Sequence, residues 1–187
     1  LTGNLPDALG FDAVARATPL DVMKTGLNNM ATTVEIGANP IMGDFGGRGW
    51  EWIGNFLAIG GIWLMIRRII RWQIPVGVGL GLLAPATLMY LVDPGANPSP
   101  GFHLFAGATI LCAFFVATDP VSAATSPKGR LVYGLGIGFL VYCIRTWGSY
   151  ADGVAFAVLI MNMAVPLIDR FTRPRIVGHA EESANRG

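Results

Sequence analysis

Apolar residues along this chain come in long unbroken blocks rather than in alternation, and the blocks begin only after roughly fifty mostly polar positions. A helix that crosses a bilayer needs about 20 consecutive apolar residues, with a range of about 17–25. Five blocks approach that length. The first runs from about Trp52 to Ile66 and reaches full length only with the Trp50 region or Ile69-Ile70. The second runs from about Ile74 to Val92, with Pro85 inside it, where a kink or interruption is expected. The third covers about Phe102 to Thr118, the fourth Leu131 to Trp147 and the fifth Val154 to Ile168. The pattern predicts an all-α integral membrane protein. It has about five transmembrane helices (51–170), preceded by a segment (1–50) that carries a short helix and followed by a tail (171–187).

Basic residues orient the blocks. Arg67, Arg68 and Arg71 lie between the first and second, Lys128 and Arg130 between the third and fourth, and Arg170, Arg173 and Arg175 after the fifth. The loop 93–101 has no Lys or Arg. An excess of Lys and Arg marks cytoplasmic loops, so the tail is expected in the cytoplasm. An odd number of spans then places the N-terminal segment on the outer face. Trp50, Trp52, Trp72 and Trp147 fall near block ends, where amphipathic rings favour the interface.

Composition agrees with this reading. Of 187 residues, 52% are hydrophobic and only 13% charged, against about 25% charged in soluble domains. A net charge of +1 provides no basic face for nucleic acid. Cys112 and Cys143 lie far apart inside apolar blocks and read as small buried residues. The chain begins at Leu1, so a fragment of a longer protein is expected. Glycines are dense in the first, second and fourth blocks. They fit close helix packing, or broken helices around a midplane site.

Three motifs stand out. Thr18-Pro19-Leu20-Asp21 has the form of a helix start, with Thr as N-cap, Pro at the first position and an acid at the third. An amphipathic helix from Pro19 to about Met30 is expected to follow. The same hydroxyl is also a candidate attachment point for a phosphate-bearing cofactor, because a helix N-terminus favours phosphate. In the stretch from Ala117 to Arg130, Thr118 or Asp119 is expected to cap a short helix from Pro120 that Pro127 ends. The alternative there is a polar lining for a cofactor or ion path. In the third motif, Arg145 and Asp152 flank a short outer turn, where they pair or sit near headgroups. Asn55, Thr87, Thr109 and Asn162 are the polar residues within the blocks, and His103 reads as a surface or interface residue. No paired carboxylates, Ser-His-Asp set, phosphate loop or His/Cys ligand cluster is visible in the sequence. This argues against a self-contained hydrolase, kinase or metalloenzyme.

Three longer stretches carry a resemblance. They are Phe115 to Arg130 (FVATDPVSAATSPKGR), Tyr150 to Leu159 (YADGVAFAVL), and Asn162 to Asp169 (NMAVPLID) continuing through Thr172-Arg173-Pro174-Arg175. On these the chain resembles the RnfD family of the Rnf electron-transport complexes (RsxD in some bacteria) and, more distantly, the NqrB subunit of the sodium-pumping NADH:quinone reductase. The resemblance runs from about Phe11 to His179 and covers the C-terminal half of the family's usual chain. It implies FMN joined by a phosphoester to a threonine in a motif of the form Asp-x-x-Ser/Thr-Gly/Ser-Ala-Thr. Asp12, Ala17 and Thr18 match that motif, whereas Ala15 and Arg16 depart from it. It further implies a bacterial inner-membrane location with the N-terminal segment periplasmic, a flavin transferase, and partner subunits of the A, B, C, E and G types. It also allows a second, non-covalent flavin such as riboflavin, to which no residue is assigned. A channel or solute-transporter half-repeat without cofactor is the competing expectation.

Overall fold

The computed structural model describes residues 18–47 and 49–172. Regular structure among them is helical, apart from one isolated antiparallel bridge between Met42 and Gly47. Two short helices come first, α1 (Pro19–Asn28) and α2 (Thr33–Gly37). Then come two long helices, α3 (Trp50–Ile66) and α4 (Gln73–Val92), and the short α5 (Pro100–Phe105). After a break, α6 (Thr109–Leu111) runs into a π-helical turn over Cys112–Val116, and α7 (Pro127–Trp147) and α8 (Val154–Thr172) complete the bundle.

The short helices are defined by their caps. Thr18 Oγ1 accepts from Asp21 N at 3.3 Å, and α1 ends at Asn28, two residues before the expected limit. At α2, Thr32 Oγ1 accepts from Glu35 N at 3.3 Å while Glu35 Oε2 accepts from Thr32 N at 2.8 Å. This reciprocal box satisfies two backbone donors that the first helical turn leaves open. It holds the Glu35 carboxyl below its usual range, chiefly through the hydrogen bond from the Thr32 backbone.

The apolar blocks map onto the longer helices with two differences. By length and apolarity, α4 and α8 are the helices able to cross a membrane, while α3 is apolar but has only 17 residues. α7 is long enough at 21 residues, but Lys128, Arg130 and Arg145 and its glycines lower its hydropathy. The third block is not one helix. It breaks at Ala106-Gly107-Ala108, where Ala106 is extended and Gly107 has φ +71°. Pro85 does not interrupt α4.

α4 and α7 pack side by side with the same chain direction, on glycines spaced four apart. A Cβ on Gly77 would lie 2.9 Å from Leu131 O, and one on Gly134 would lie 2.6 Å from Ile74 O. Gly81 and Gly138 lie closer still to the Leu135 and Val78 carbonyls. Small residues in this register let helix backbones meet directly, as membrane helices do. Around this seam Val78, Leu82, Tyr133, Ile137 and Val141 are almost wholly buried, with Cys112 and Ala157 against them. The π-helical turn, closed by Ala117 N donating to Cys112 O at 2.8 Å, presents Phe114 to the gap left by Gly61 on α3. A second, smaller core lies at one end, where Leu20 and Met23 of α1 meet Ile36, Met42, Phe102 and Ala106. Large apolar side chains on α3 (Trp52, Phe56, Ile59) and α8 (Leu159, Met163, Phe171) face outward. An apolar surface on this scale suits hydrocarbon rather than water.

Candidate functional site at the outer helix and the broken third span

Thr18 is exposed at the start of α1, where the helix presents its positive end. Its hydroxyl is open to a substituent, and a phosphate there would meet the unfilled N–H groups of the first turn. Asp21 places one like charge nearby and Lys24, one turn further on, the opposite charge. The geometry fits a phosphate-linked group on Thr18. The other two motif residues, Asp12 and Ala17, lie outside the described residues.

α1 is fastened to the bundle at two points. Leu20 reaches over Gly107, which has no space for a side chain: a Cβ there would meet Leu20 Cδ1 and, at 2.5 Å, Asp152 Oδ2. Lys24 Nζ donates to the carbonyls of Arg145 (3.2 Å), Gly148 and Tyr150 (2.8 Å). These carbonyls belong to the last turn of α7 and the residues just beyond it, where helical partners run out, so the ammonium acts as a C-terminal cap supplied from another helix. Partial burial lowers the Lys24 pKa, against a smaller opposing effect from Asp21. Lys24 lies on the same stripe as Leu20, Met23 and Leu27, so its inward direction was legible, whereas its partners 121 to 126 residues away were not.

The break in the third apolar block is closed by one ion pair. Arg145 Nη1 donates to His103 O at 2.6 Å, and Nη2 reaches Ala106 O (3.2 Å), Thr109 Oγ1 (2.8 Å) and Asp152 Oδ1 (3.0 Å). Asp152 Oδ2 accepts from Ala108 N at 2.8 Å. The His103 and Ala106 carbonyls freed where α5 ends, and the Ala108 N–H freed where α6 begins, therefore find partners. Buried irregular backbone needs such partners, because an unpaired buried polar group is costly. The expectation of a surface pair is corrected here: the two residues do pair, but the Arg145 side chain is only 2% exposed. His103 is likewise not a surface residue. It is 5% exposed and packs edge-on against Tyr142, with ring centroids 5.4 Å apart. A small cleft runs along the inner face of α1, bordered by Met23, Lys24, Asn97, His103 and Arg145.

At the opposite end, the stretch from Ala117 to Ser126 departs from expectation. No helix starts at Pro120. Asp119 Oδ2 instead accepts from Ser122 N (3.1 Å) and Oγ (2.7 Å), a local turn that competes with helix formation and, through the Ser122 hydroxyl above all, lowers the Asp119 pKa. Pro127 does not end a helix but opens α7, with Ser126 as its N-cap. Thr125 donates through N (3.1 Å) and Oγ1 (2.9 Å) to the buried carboxylate of Asp169 on α8, and Ser126 Oγ donates to Thr172 Oγ1 at 2.7 Å. Arg71 and Arg130 border one cleft with Thr118 and Asp119, so the basic loops gather at this end and Thr18 lies at the other. Between them Tyr133 Oη donates to Asn162 Oδ1 at 2.5 Å, joining α7 to α8. Among the described residues no group of His, Cys, Asp and Glu is placed to hold a metal ion.

Comparison with known sequences follows the same outline. A sequence model of the NQR2, RnfD, RnfE family matches residues 2–178. The chain is 52% identical over 169 residues to the D-type subunit of the ion-translocating oxidoreductase complex of Aeromonas salmonicida, covering 90% of this chain and 48% of that protein. Proteins of the same description from Vibrio vulnificus and Vibrio cholerae are each 52% identical over 170 residues. They cover 91% of this chain and 48% and 49% of their own lengths. The chain thus spans about half the length of the relatives it matches.

Proposed function

The chain belongs to the NQR2, RnfD, RnfE family, and on that premise we propose that it is the flavin-bearing part of a membrane subunit of an Rnf-type ion-translocating ferredoxin:NAD oxidoreductase. FMN is joined through its phosphate to Thr18, with Asp12 and Ala17 in the attachment motif. The segment 1–50 lies on the periplasmic side of a bacterial inner membrane, residues 51–170 form five spans, and 171–187 form a cytoplasmic tail. The third of those spans is the discontinuous one. Subunits of the A, B, C, E and G types surround it, and a flavin transferase makes the ester.

The observation that carries this reading is the exposed Thr18 hydroxyl at the start of a helix that is itself fixed to the bundle. Gathering of the basic loops at the far end supports the orientation. When bound, the flavin supplies one- and two-electron transfer, and the protein supplies position and surroundings. Thr18 is then an anchor, not a catalytic residue. The first turn of α1 holds the phosphate through backbone N–H groups. Lys24 and Leu20 fix the helix over the break, so the tether starts from a defined point.

The test is a denaturing gel of wild-type and Thr18→Ala protein expressed with the transferase. The wild-type band is expected to fluoresce under ultraviolet light and to carry the added mass of FMN, and the variant band is expected to be dark. An equally fluorescent variant would remove Thr18 from the reading. Colourless wild-type protein would favour a cofactor-free channel or transporter element.

A further inference from the structure

We propose that the break in the third span is a binding site for a monovalent cation and that the Arg145 guanidinium is its tethered occupant. Four oxygens surround this group: the His103 and Ala106 carbonyls, Thr109 Oγ1 and Asp152 Oδ1, at 2.6 to 3.2 Å. Three of them crowd the single nitrogen Nη2, which has two protons to give. The acceptors outnumber the protons that Nη2 can direct at them, so the pocket offers more negative charge than its hydrogen bonds pair. Meanwhile Nε, which does point a proton, has no partner among the described residues. Two of the oxygens come from the C-terminal end of an interrupted helix, where carbonyls carry partial negative charge, and a third is a carboxylate. Unwound carbonyls at half-helix ends are the general means by which membrane proteins hold small cations.

Arg145 is 5% exposed and cannot lose its proton at physiological pH, so it fills the shell permanently. With it seated, the break is closed to free cations. The break therefore serves as a fixed plug between the outer core and the bundle, not as an open ion path. The plug is independent of any flavin on Thr18, since it depends only on residues 103–109, 145 and 152.

The test uses the full-length subunit in its purified complex and reads deuterium uptake of the peptide covering residues 103–112. Wild type is expected to exchange slowly and equally in sodium, potassium, guanidinium and choline chlorides at matched ionic strength. Arg145→Ala is expected to exchange severalfold faster in choline and to be slowed again by sodium, potassium or low millimolar guanidinium. Equal uptake of the variant in all salts would overturn the proposal. Rescue by guanidinium alone would also overturn it, because hydrogen-bond shape and not charge would then select the occupant. If Arg145→Ala does not accumulate, Arg145→Lys and Arg145→Gln decide the matter. Lysine is expected to protect the segment and glutamine to leave it fast, and equal protection by both would sink the charge-based account.

Discussion

Replacing Gly134 with alanine is the smallest change that asks whether α4 and α7 are held by direct backbone contact. The added methyl would lie 2.6 Å from Ile74 O and 3.1 Å from both Gly77 Cα and Val78 N. All three neighbours are main-chain atoms, so no rotamer change makes room. Ordinary contact begins at 3.4 Å, so the helices must separate by roughly 0.8 Å, a gap that forfeits about a quarter to a half of each affected van der Waals well. The pairs affected include Ile74, Val78 and Leu82 against Tyr133, Ile137 and Val141. Overpacking of a tight core costs about 1–3 kcal/mol. Alanine gains about 1 kcal/mol of helix propensity over glycine in the opposite direction. Gly79→Ala isolates that gain, because nothing lies within 4 Å of its Cβ position. The two variants should therefore differ by about 1–3 kcal/mol. At roughly 2–4 °C per kcal/mol for a chain of this size, that is about 2–12 °C in apparent midpoint. The assay is thermal loss of helical circular dichroism in lipid nanodiscs at one scan rate. Equal midpoints for the two variants, or a higher midpoint for Gly134→Ala, would refute close approach as the basis of the pair.

Further outcomes follow from the site. Asp152→Ala strands a buried guanidinium and leaves the Ala108 N–H without its acceptor, and is expected to cost about 3–5 kcal/mol in the same melting assay; a cost below about 1 kcal/mol, the value of an exposed pair, contradicts the buried role. Lys24→Met keeps the apolar stem but removes the cap from the end of α7. For a loss of about 1 kcal/mol, amide exchange within Pro19–Asn28 should quicken roughly fivefold, and unchanged exchange speaks against the clamp. The Glu35 carboxyl titrates below its ordinary 4.5, so its contribution to α2 is complete above that value and disappears as pH falls through the lower folded value. The protection factors at Thr33–Gly37 should fall over that acidic window in wild type, and protection that does not change with pH in Glu35→Gln is the matching control.

The sequence was legible where a local rule sufficed. Thr18-Pro19 read as a cap and is one, because an N-cap is settled within four consecutive residues, here Thr18 to Asp21. The apolar blocks located the bundle helices, and the glycines in the second and fourth blocks read as packing positions, which Gly77, Gly81, Gly134 and Gly138 are. What was not legible depended on distant partners. Phe102 to Thr118 is mostly apolar, so hydropathy cannot reveal that Gly107 turns the chain and that Arg145 repairs the cut. His103 looked exposed beside a polar loop but is covered by Tyr142 from α7. Asp119 looked like a helix cap, yet its carboxylate closes a turn on Ser122 three residues on, while Asp169, unremarked in the sequence, holds Thr125 across 44 positions.

Gly107 lies where the smaller core meets the ion pair that closes the break. Leu20 of the outer helix, Asp152 and Arg145 all occupy the volume a side chain would need there. The seat of α1 and the closure of the break therefore share one tightly filled volume. A single methyl group at position 107 would thus disturb two structures at once, the seat of the helix that starts at Thr18 and the ion pair that holds the break.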